Sequence, residues 1–413
     1  MFGSNKSLYR IFIVAALTCV LFFFFGKSNP DFDKSKLIVG VHYYSWFPGN
    51  WAGGIFGDHL EPNLWPKLGK YESGEPQVVK QHLDWMKDSG INLIVFDWWI
   101  KRRTVKRNIK KAIELLDQQE QIKFAMHYES LDLKSNKDTI TIPEGANVIY
   151  MTPERTENLK LHILDVAEDY MSNKNYLRID GKPVLFLYAT RHLVGPVAQA
   201  IKEVREFIKE KKGYDLYLVA DEVYIQVLDY EKDKGIYVKD EYQPNTERVS
   251  AFDAITAYNP YDGRKTEQAG VKGVENYLTD VSKLYTKYQK IAQDRDISFI
   301  PTALPGYNDR GVRLVEDHFI LSRDSQSEGQ SFFSLNLNRL IRPFLDSKNP
   351  IFMVTSWNEW NEGSQIEPSV EFSEAAKDLS EGKQYASEEL YTGYGFKHLN
   401  ELREFIARIT KEE

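Results

Sequence analysis

From Ser35 onward the chain repeats one pattern: a short run of apolar, β-branched and aromatic residues, then a longer stretch with apolar positions three and four apart among charged ones. The first kind reads as a buried strand and the second as an amphipathic helix. The strand-like runs are LIVGVHYYSW (37–46), NLIVFDWW (92–99), KFAMHYES (123–130), PVLFLYA (183–189), DLYLVADE (215–222), AFDAITAY (251–258), SFIPTALPGY (298–307) and IFMVTSWNEW (351–360). Helical spacing recurs at 77–89, 104–120, 155–172, 196–210, 270–292 and 394–411, while 223–250 has no clear period and a helix there is doubtful. Eight such units over roughly 375 residues predict an α/β fold, a (β/α)8 TIM barrel. A doubly wound open sheet shares the alternation, because counting units does not prove closure. No glycine-rich phosphate fingerprint follows the first strand, which weakens the nucleotide-binding form of that alternative. No low-complexity linker interrupts the chain, so residues 36–413 read as one catalytic domain. The inserts 47–76, 131–154 and 364–393 are expected as βα loops on its active face.

Residues 1–27 break the pattern. Lys6 and Arg10 precede an unbroken apolar run from Ile11 to Phe25, ending VLFFFF, with Gly26 and Lys27 after it. With its uncharged flanks this approaches the length of a spanning helix. The plan is shared by a cleaved signal peptide, but four consecutive Phe stand where a cleavage site wants small residues. The expected arrangement is a short cytoplasmic tail (1–10), a signal anchor (11–27), a linker (28–35) and an extracytoplasmic catalytic domain on a single-pass membrane protein.

Composition narrows the chemistry. The net charge of −7 gives no indication of a nucleic-acid partner. The one cysteine, Cys19, lies in the apolar run, which removes a thiol nucleophile or thiolate metal site from the globular part. The eight His are dispersed, with no H-x-H or H-E-x-x-H spacing, and no G-x-S-x-G elbow occurs, so neither a metal, a cofactor nor a serine hydrolase is expected.

In a parallel barrel the site lies at the C-terminal strand ends. Those ends carry Tyr43, Tyr44 and Trp46, then Asp97, Trp98 and Trp99, then His127, Tyr128 and Glu129. Later ends carry Asp221 and Glu222, Tyr258 and Asn259, Tyr307, and finally Trp357, Asn358, Glu359, Trp360, Asn361 and Glu362. Six of the eight Trp fall at or just after a strand end, where packing alone would scatter them. Aromatic faces beside carboxylates make a carbohydrate site, with an oligosaccharide or polysaccharide as partner. Glycoside hydrolysis generally uses two carboxyl groups with separated pKa values. Glu359 and Glu362 meet that need only if the chain bends after the last strand, which Asn361 and Gly363 permit. Spacing alone leaves open that one of them is a surface loop charge.

WNEWNEGSQIEP (357–368) resembles the signature segment of glycoside hydrolase family 99, the endo-α-1,2-mannosidases and endomannanases. HYYSWF (42–47), HYES (127–130), PVLFLY (183–188) and FIPTALPGYND (299–309) match the same family in order, so the similarity spans about 36–370. The resemblance implies a retaining endo-acting α-glycosidase cutting α-mannosidic linkages, without cofactor, through a 1,2-anhydro-sugar intermediate. Glu362 matches the general acid/base, and Glu359 the base acting on the substrate's 2-hydroxyl. Glu129 matches a substrate-contacting carboxylate, and Tyr44 and Tyr307 match tyrosines lining the reacting-sugar subsite. The remaining candidates for substrate binding are Tyr43, Trp46, Asp97, Trp98, His127, Tyr258, Trp357, Asn358, Trp360 and Asn361. Asn361 replaces the family's His and cannot titrate near neutrality, which puts the glycan recognised in doubt more than the reaction. Two other readings are a related barrel in polysaccharide assembly or modification acting on another glycan, an anionic one included, and a silent glycan-binding barrel. KRRTVKRNIKK (101–111) packs seven basic residues into eleven just beyond the second strand, as a solvated helix face, an anionic-glycan contact or a membrane-surface contact.

Overall fold

A computed structural model describes residues 32–411 apart from 52–53, 120, 135–147, 225–226, 232–234, 240–244, 261–267, 324–325, 328–329 and 388. The expected tail and anchor lie outside the described residues. No helix among the described residues is long and apolar enough to cross a membrane.

Nine parallel strand segments fill eight positions of a nearly closed ring. They are β1 (Ile38–Tyr43), β2 (Leu93–Trp98), β3 (Lys123–Tyr128), β4 (Lys182–Leu187), β5 (Tyr217–Asp221), β6 (Ala254–Thr256), β7 (Ser298–Ile300 and Thr302–Ala303) and β8 (Ile351–Val354). Each pairs in parallel with the next, the first half of β7 with β6 and the second half with β8, and β8 pairs with β1. Pro301 divides β7 because it has no N–H to donate, yet its carbonyl accepts from Met353 N at 2.9 Å and joins the two ends. An open doubly wound sheet would leave two free edges and is not what forms.

The outer helices are α1 (Pro76–Ser89), α2 (Arg103–Leu116), α3 (Pro153–Asp169), α4 (Val197–Lys212), the single turn α5 (Thr246–Val249), α6 (Val274–Gln293), α7 (Phe332–Asn336) and α8 (Lys397–Thr410). Local chemistry sets their ends. Pro153 occupies the first turn of α3, and Thr152 Oγ1 accepts from Arg155 N at 3.2 Å, a cap worth about 1 kcal/mol. Gly90 closes α1 at φ +85, where a side chain would be strained. The doubtful stretch 223–250 holds a hairpin, Val227–Glu231 with Gly235–Lys239, before α5. α7 escapes a reading by period because it is buried almost all round: Phe332, Phe333, Leu335 and Asn336 are all covered, and the chain runs on as a wide turn over Leu337–Ile341.

Alternation along each strand sends one set of side chains into the barrel and the other to the helices. Leu93, Val95, Ala125, Val184, Phe186, Val219, Ala254, Ile300 and Met353 fill the interior. Gly40 makes room there, since a Cβ on it would lie 2.5 Å from Met353 Sδ. Val39, Val41, Ile94, Phe96, Phe124 and Met126 face outward into the layer shared with the helices. Loops 47–76 and 364–393 pack on each other beside the end of β8, through the Leu60–Asp378 pairing and a cluster containing Phe47, Trp51, Phe56, Tyr71, Trp360 and Tyr391.

Candidate active site

The bend required after β8 is built by its own residues. Ser356 Oγ accepts from Glu359 N at 2.8 Å, Ser364 N donates to Glu359 O at 3.2 Å, and Ser356 N donates to Ser364 O at 2.6 Å. Gly363 turns the chain at φ +66, and a Cβ there would meet the Phe56 ring at 2.8 Å. The result brings Glu359 and Glu362 into one electrostatic neighbourhood. Glu359 is buried, and its Oε1 accepts from Asn361 N at 3.0 Å. Glu362 is about one fifth exposed and accepts from Arg313 Nη2 at 3.0 Å. Burial, then the charge of Glu362, holds the Glu359 carboxyl well above the usual range. Burial pushes Glu362 up to about 7, with Arg313 opposing. Charge on Glu362 opposes ionisation of Glu359, so the pair titrates as a unit.

Around this pair stand the inward-facing strand ends. Tyr44 and Tyr258 share a hydrogen bond between their hydroxyls, and Trp46 stacks on Tyr44 with ring centroids 4.3 Å apart. Asn358 clamps the backbone of Tyr44, its Oδ1 accepting from Tyr44 N at 2.8 Å and its Nδ2 donating to Tyr44 O at 2.9 Å. Tyr258 packs on His127 at 5.7 Å and on Tyr188 at 5.3 Å. Asp97 Oδ1 lies 3.9 Å from His127 Nδ1, and its other oxygen accepts from Trp99 Nε1. Burial lifts Asp97 to about 7 and Glu129 to about 8, the latter helped by the charge of Asp97. Burial pushes His127 down to about 4 and His42, its ring tilted against it at 4.7 Å, well below its ordinary value. Tyr307 lies at the end of β7, paired to Leu321 and buried. Among the described residues no group of three or more His, Cys, Asp or Glu side chains is arranged to hold a metal ion.

The period of two separates the remaining candidates from this mouth. Tyr43, one residue before Tyr44, points outward to His82 Nδ1 at 2.9 Å. Trp98, beside inward Asp97, packs with Tyr128 and under Lys106 Nζ at 4.5 Å. Trp357 packs edge-on against His82 at 5.3 Å. Trp360 donates to Glu367 Oε2 at 2.7 Å within the loop cluster. These four support the site from behind. Asn361 touches Glu359 through its backbone, and its Oδ1 lies 3.2 Å from where a Cβ on Gly54 would stand. Residues outside the sequence candidates also belong to the neighbourhood, His42 against His127 among them. Tyr188, at the end of β4, could have been found by the strand-end rule. Arg313, exposed on the loop after β7, carries no sequence signal that ties it to Glu362.

The raised carboxyls make stability pH-dependent. Asp97 and Glu129 keep protons in the folded state that the unfolded chain has released by about pH 4.5, so stability falls as pH rises through their folded values. His42 and His127 act in the opposite sense below about pH 6.5, leaving the carboxyls to set the slope from there to about pH 8. Glu129→Gln is expected to flatten that decline and to stabilise the fold at pH 8 by about 1–3 kcal/mol, read from urea midpoints across the range. An unchanged slope would contradict the placement of Glu129.

Residues 38–377 match the family described as glycosyltransferase WbsX. The chain belongs to the WbsX family. It is also similar to a mouse glycoprotein endo-α-1,2-mannosidase-like protein, 23% identical over 323 residues that make 76% of this chain and 59% of that protein. The chain thus spans about three fifths of the length of its mouse and human relatives. In fold it is like a solved glycoside hydrolase-like protein, at a TM-score of 0.64 and 20% identity, covering 93% of this chain and 98% of that one. It is likewise similar to the family 99 endo-α-mannosidase of Bacteroides thetaiotaomicron, at a TM-score of 0.58 and 16% identity, covering 92% and 100%. The family 99 resemblance carried by residues 36–370 is therefore borne out, and this WbsX member has a glycosidase-like barrel.

Proposed function

We propose that the protein is a retaining, endo-acting α-glycosidase that cuts α-mannosidic linkages. The observation that carries this reading is the Glu359–Glu362 pair, one buried and one reachable from the mouth, beneath the walls made by Tyr44, Trp46 and Tyr258. As the family 99 resemblance implies, Glu362 gives its proton to the departing glycosidic oxygen. Glu359 takes the proton of the 2-hydroxyl, whose oxygen closes on C1 as the C1–O bond breaks. Water then opens the 1,2-anhydro sugar at C1, giving its proton to Glu362 while O2 recovers one from Glu359. Two inversions at C1 leave the configuration retained. Each carboxyl must hold a proton at one stage and lack it at another, which suits two carboxyls whose titrations are linked.

The family's description favours one second reading. A sugar hydroxyl in place of water at the last step would make the same pair a transglycosylase. Incubating the protein with a panel of α-mannans and following products by mass separates the two. Shorter oligosaccharides alone support hydrolysis, chains longer than the substrate support transfer, and no product from any mannoside overturns the mannosidase reading.

Arg313 supplies a finer check. Its cation favours the ionised form of Glu362, so Arg313→Gln should raise the Glu362 pKa further. The alkaline limb of kcat/KM, set by loss of the proton that the pair gives to the leaving oxygen, is expected to move to higher pH in the variant. A limb that stays in place or moves down contradicts the assignment. The basic-then-apolar plan of residues 6–27 supports an anchored protein with its barrel outside the cytoplasm.

A further inference from the structure

The basic run 101–111 divides on folding. Val105, Asn108 and Ile109 turn into the core, while Lys106 reaches Asp165 at 3.6 Å and Lys110 reaches Asp169 at 2.9 Å, so this part ties α2 to α3. Lys101, Arg102 and Arg103 are exposed and have no ion-pair partner among the described residues. Of these, Arg102 alone is tied to the sugar site. Its guanidinium lies 4.3 Å from the Trp99 ring and 5.6 Å from the Trp46 ring. Trp99 donates to Asp97, and Trp46 stacks on Tyr44, whose hydroxyl meets Tyr258. The cation therefore sits on the two aromatic walls of the mouth, on the β2 side.

A guanidinium stacked on indole keeps its face covered and its N–H edge free. The charge of Arg102 reaches Asp97, but its side chain makes no hydrogen bond to another described residue, so its planar set of donors is free to match a carboxylate two-to-two. The floor of the site is lined by the carboxyl groups of Asp97, Glu129, Glu359 and Glu362, and Arg191 beside it is taken by Asp221, so the floor offers an anion on the reacting sugar no uncommitted cation among the described residues. Arg313, at the mouth, is already engaged by Glu362 and Asp309. An acidic substituent thus finds an uncommitted set of donors at the rim, on Arg102.

We propose that Arg102, seated on Trp99 and flanked by Trp46, binds the carboxylate of an acidic sugar adjacent to the sugar whose bond is cut, so that the substrate is a uronate-bearing glycan. The proposal rests on the glycosidase reading and names its substrate class.

The test uses the full chain carrying Glu362→Gln, so that turnover does not disturb binding. A glucuronate-extended α-mannobioside and its carboxyl-reduced, neutral counterpart are titrated by calorimetry at low and high salt. The acidic ligand is expected to bind about tenfold tighter at low salt, with the preference shrinking at high salt. Adding Arg102→Met should remove the preference and leave the affinity for the neutral ligand unchanged, while Arg102→Lys should keep part of it. Equal affinities, a preference that survives Arg102→Met, or no binding of either ligand overturns the proposal. Wild-type protein given both compounds reads the glycosidase assignment separately. If it cleaves neither while the Arg102-dependent preference persists, that assignment fails and the subsite stands. Cleavage of both without any preference overturns the subsite and leaves the glycosidase assignment standing.

Discussion

Glu362→Gln is expected to lower kcat/KM on a natural glycan by about 10²–10⁴-fold, the range for loss of a positioned general acid. The amide keeps the shape of the carboxyl but has no proton to give to the leaving oxygen. Binding should persist, because the aromatic walls and Asn358 are untouched, so KM or a ligand Kd moves little. The defect in the first step should also depend on the leaving group. An aryl glycoside whose phenolate departs without protonation should lose much less of that step, leaving the water-activated step as the slow one. A Glu362→Gln protein that hydrolyses the natural glycan at the normal rate would remove Glu362 from the chemistry. Equal loss on both kinds of substrate would assign it a structural part instead.

The second large effect lies behind the site. Glu367 is fully buried, and its carboxylate accepts from Tyr71 OH at 2.9 Å and Trp360 Nε1 at 2.7 Å while bonding His82 Nε2 at 2.9 Å. Tyr71 in turn receives Asn358 Nδ2 at 3.1 Å, and Asn358 holds the backbone of Tyr44. Glu367→Ala leaves three buried polar groups without their acceptor, each such loss costing about 1–3 kcal/mol before relaxation. The expected destabilisation is about 3–5 kcal/mol, as for removing one side of a buried charged network. Glu367→Gln keeps one acceptor oxygen and should cost about 1–2 kcal/mol, a loss closer to that of a single hydrogen bond. Urea unfolding measures both. A loss below about 1 kcal/mol for the alanine variant would mean that the network does not hold the loop as described.

The barrel was legible because its strands are buried on both faces and its helices on one, which gives two distinct periods along the chain. Closure was not legible, since pairing of β8 with β1 and the joint through Pro301 depend on contacts far apart in sequence. The Glu359–Glu362 pair was visible as a motif at a strand end, but its meeting depended on the Ser356–Ser364 closure and the turn at Gly363. Reading every strand-end aromatic as part of the sugar-binding wall gathered Tyr43, Trp98 and Trp357, which one further count along each strand sends outward. His127, Asp97 and Tyr44 point inward by the same count. Arg313 was hidden because a lone arginine in a loop says nothing of the carboxylate it will reach. The basic run looked uniform in sequence, and only its docking distinguishes Lys106 and Lys110, paired to α3, from Arg102 on the rim.

The most direct test of the central claim follows the anomer first released. The barrel is incubated with an α-mannan oligosaccharide that it cleaves, and proton NMR records the new reducing end before mutarotation. The α anomer is expected to appear first and to decay toward equilibrium, because the glycan leaves and water enters on the same face. A β anomer appearing first would contradict that claim, since that outcome requires direct attack of water and gives Glu359 no 2-hydroxyl to deprotonate.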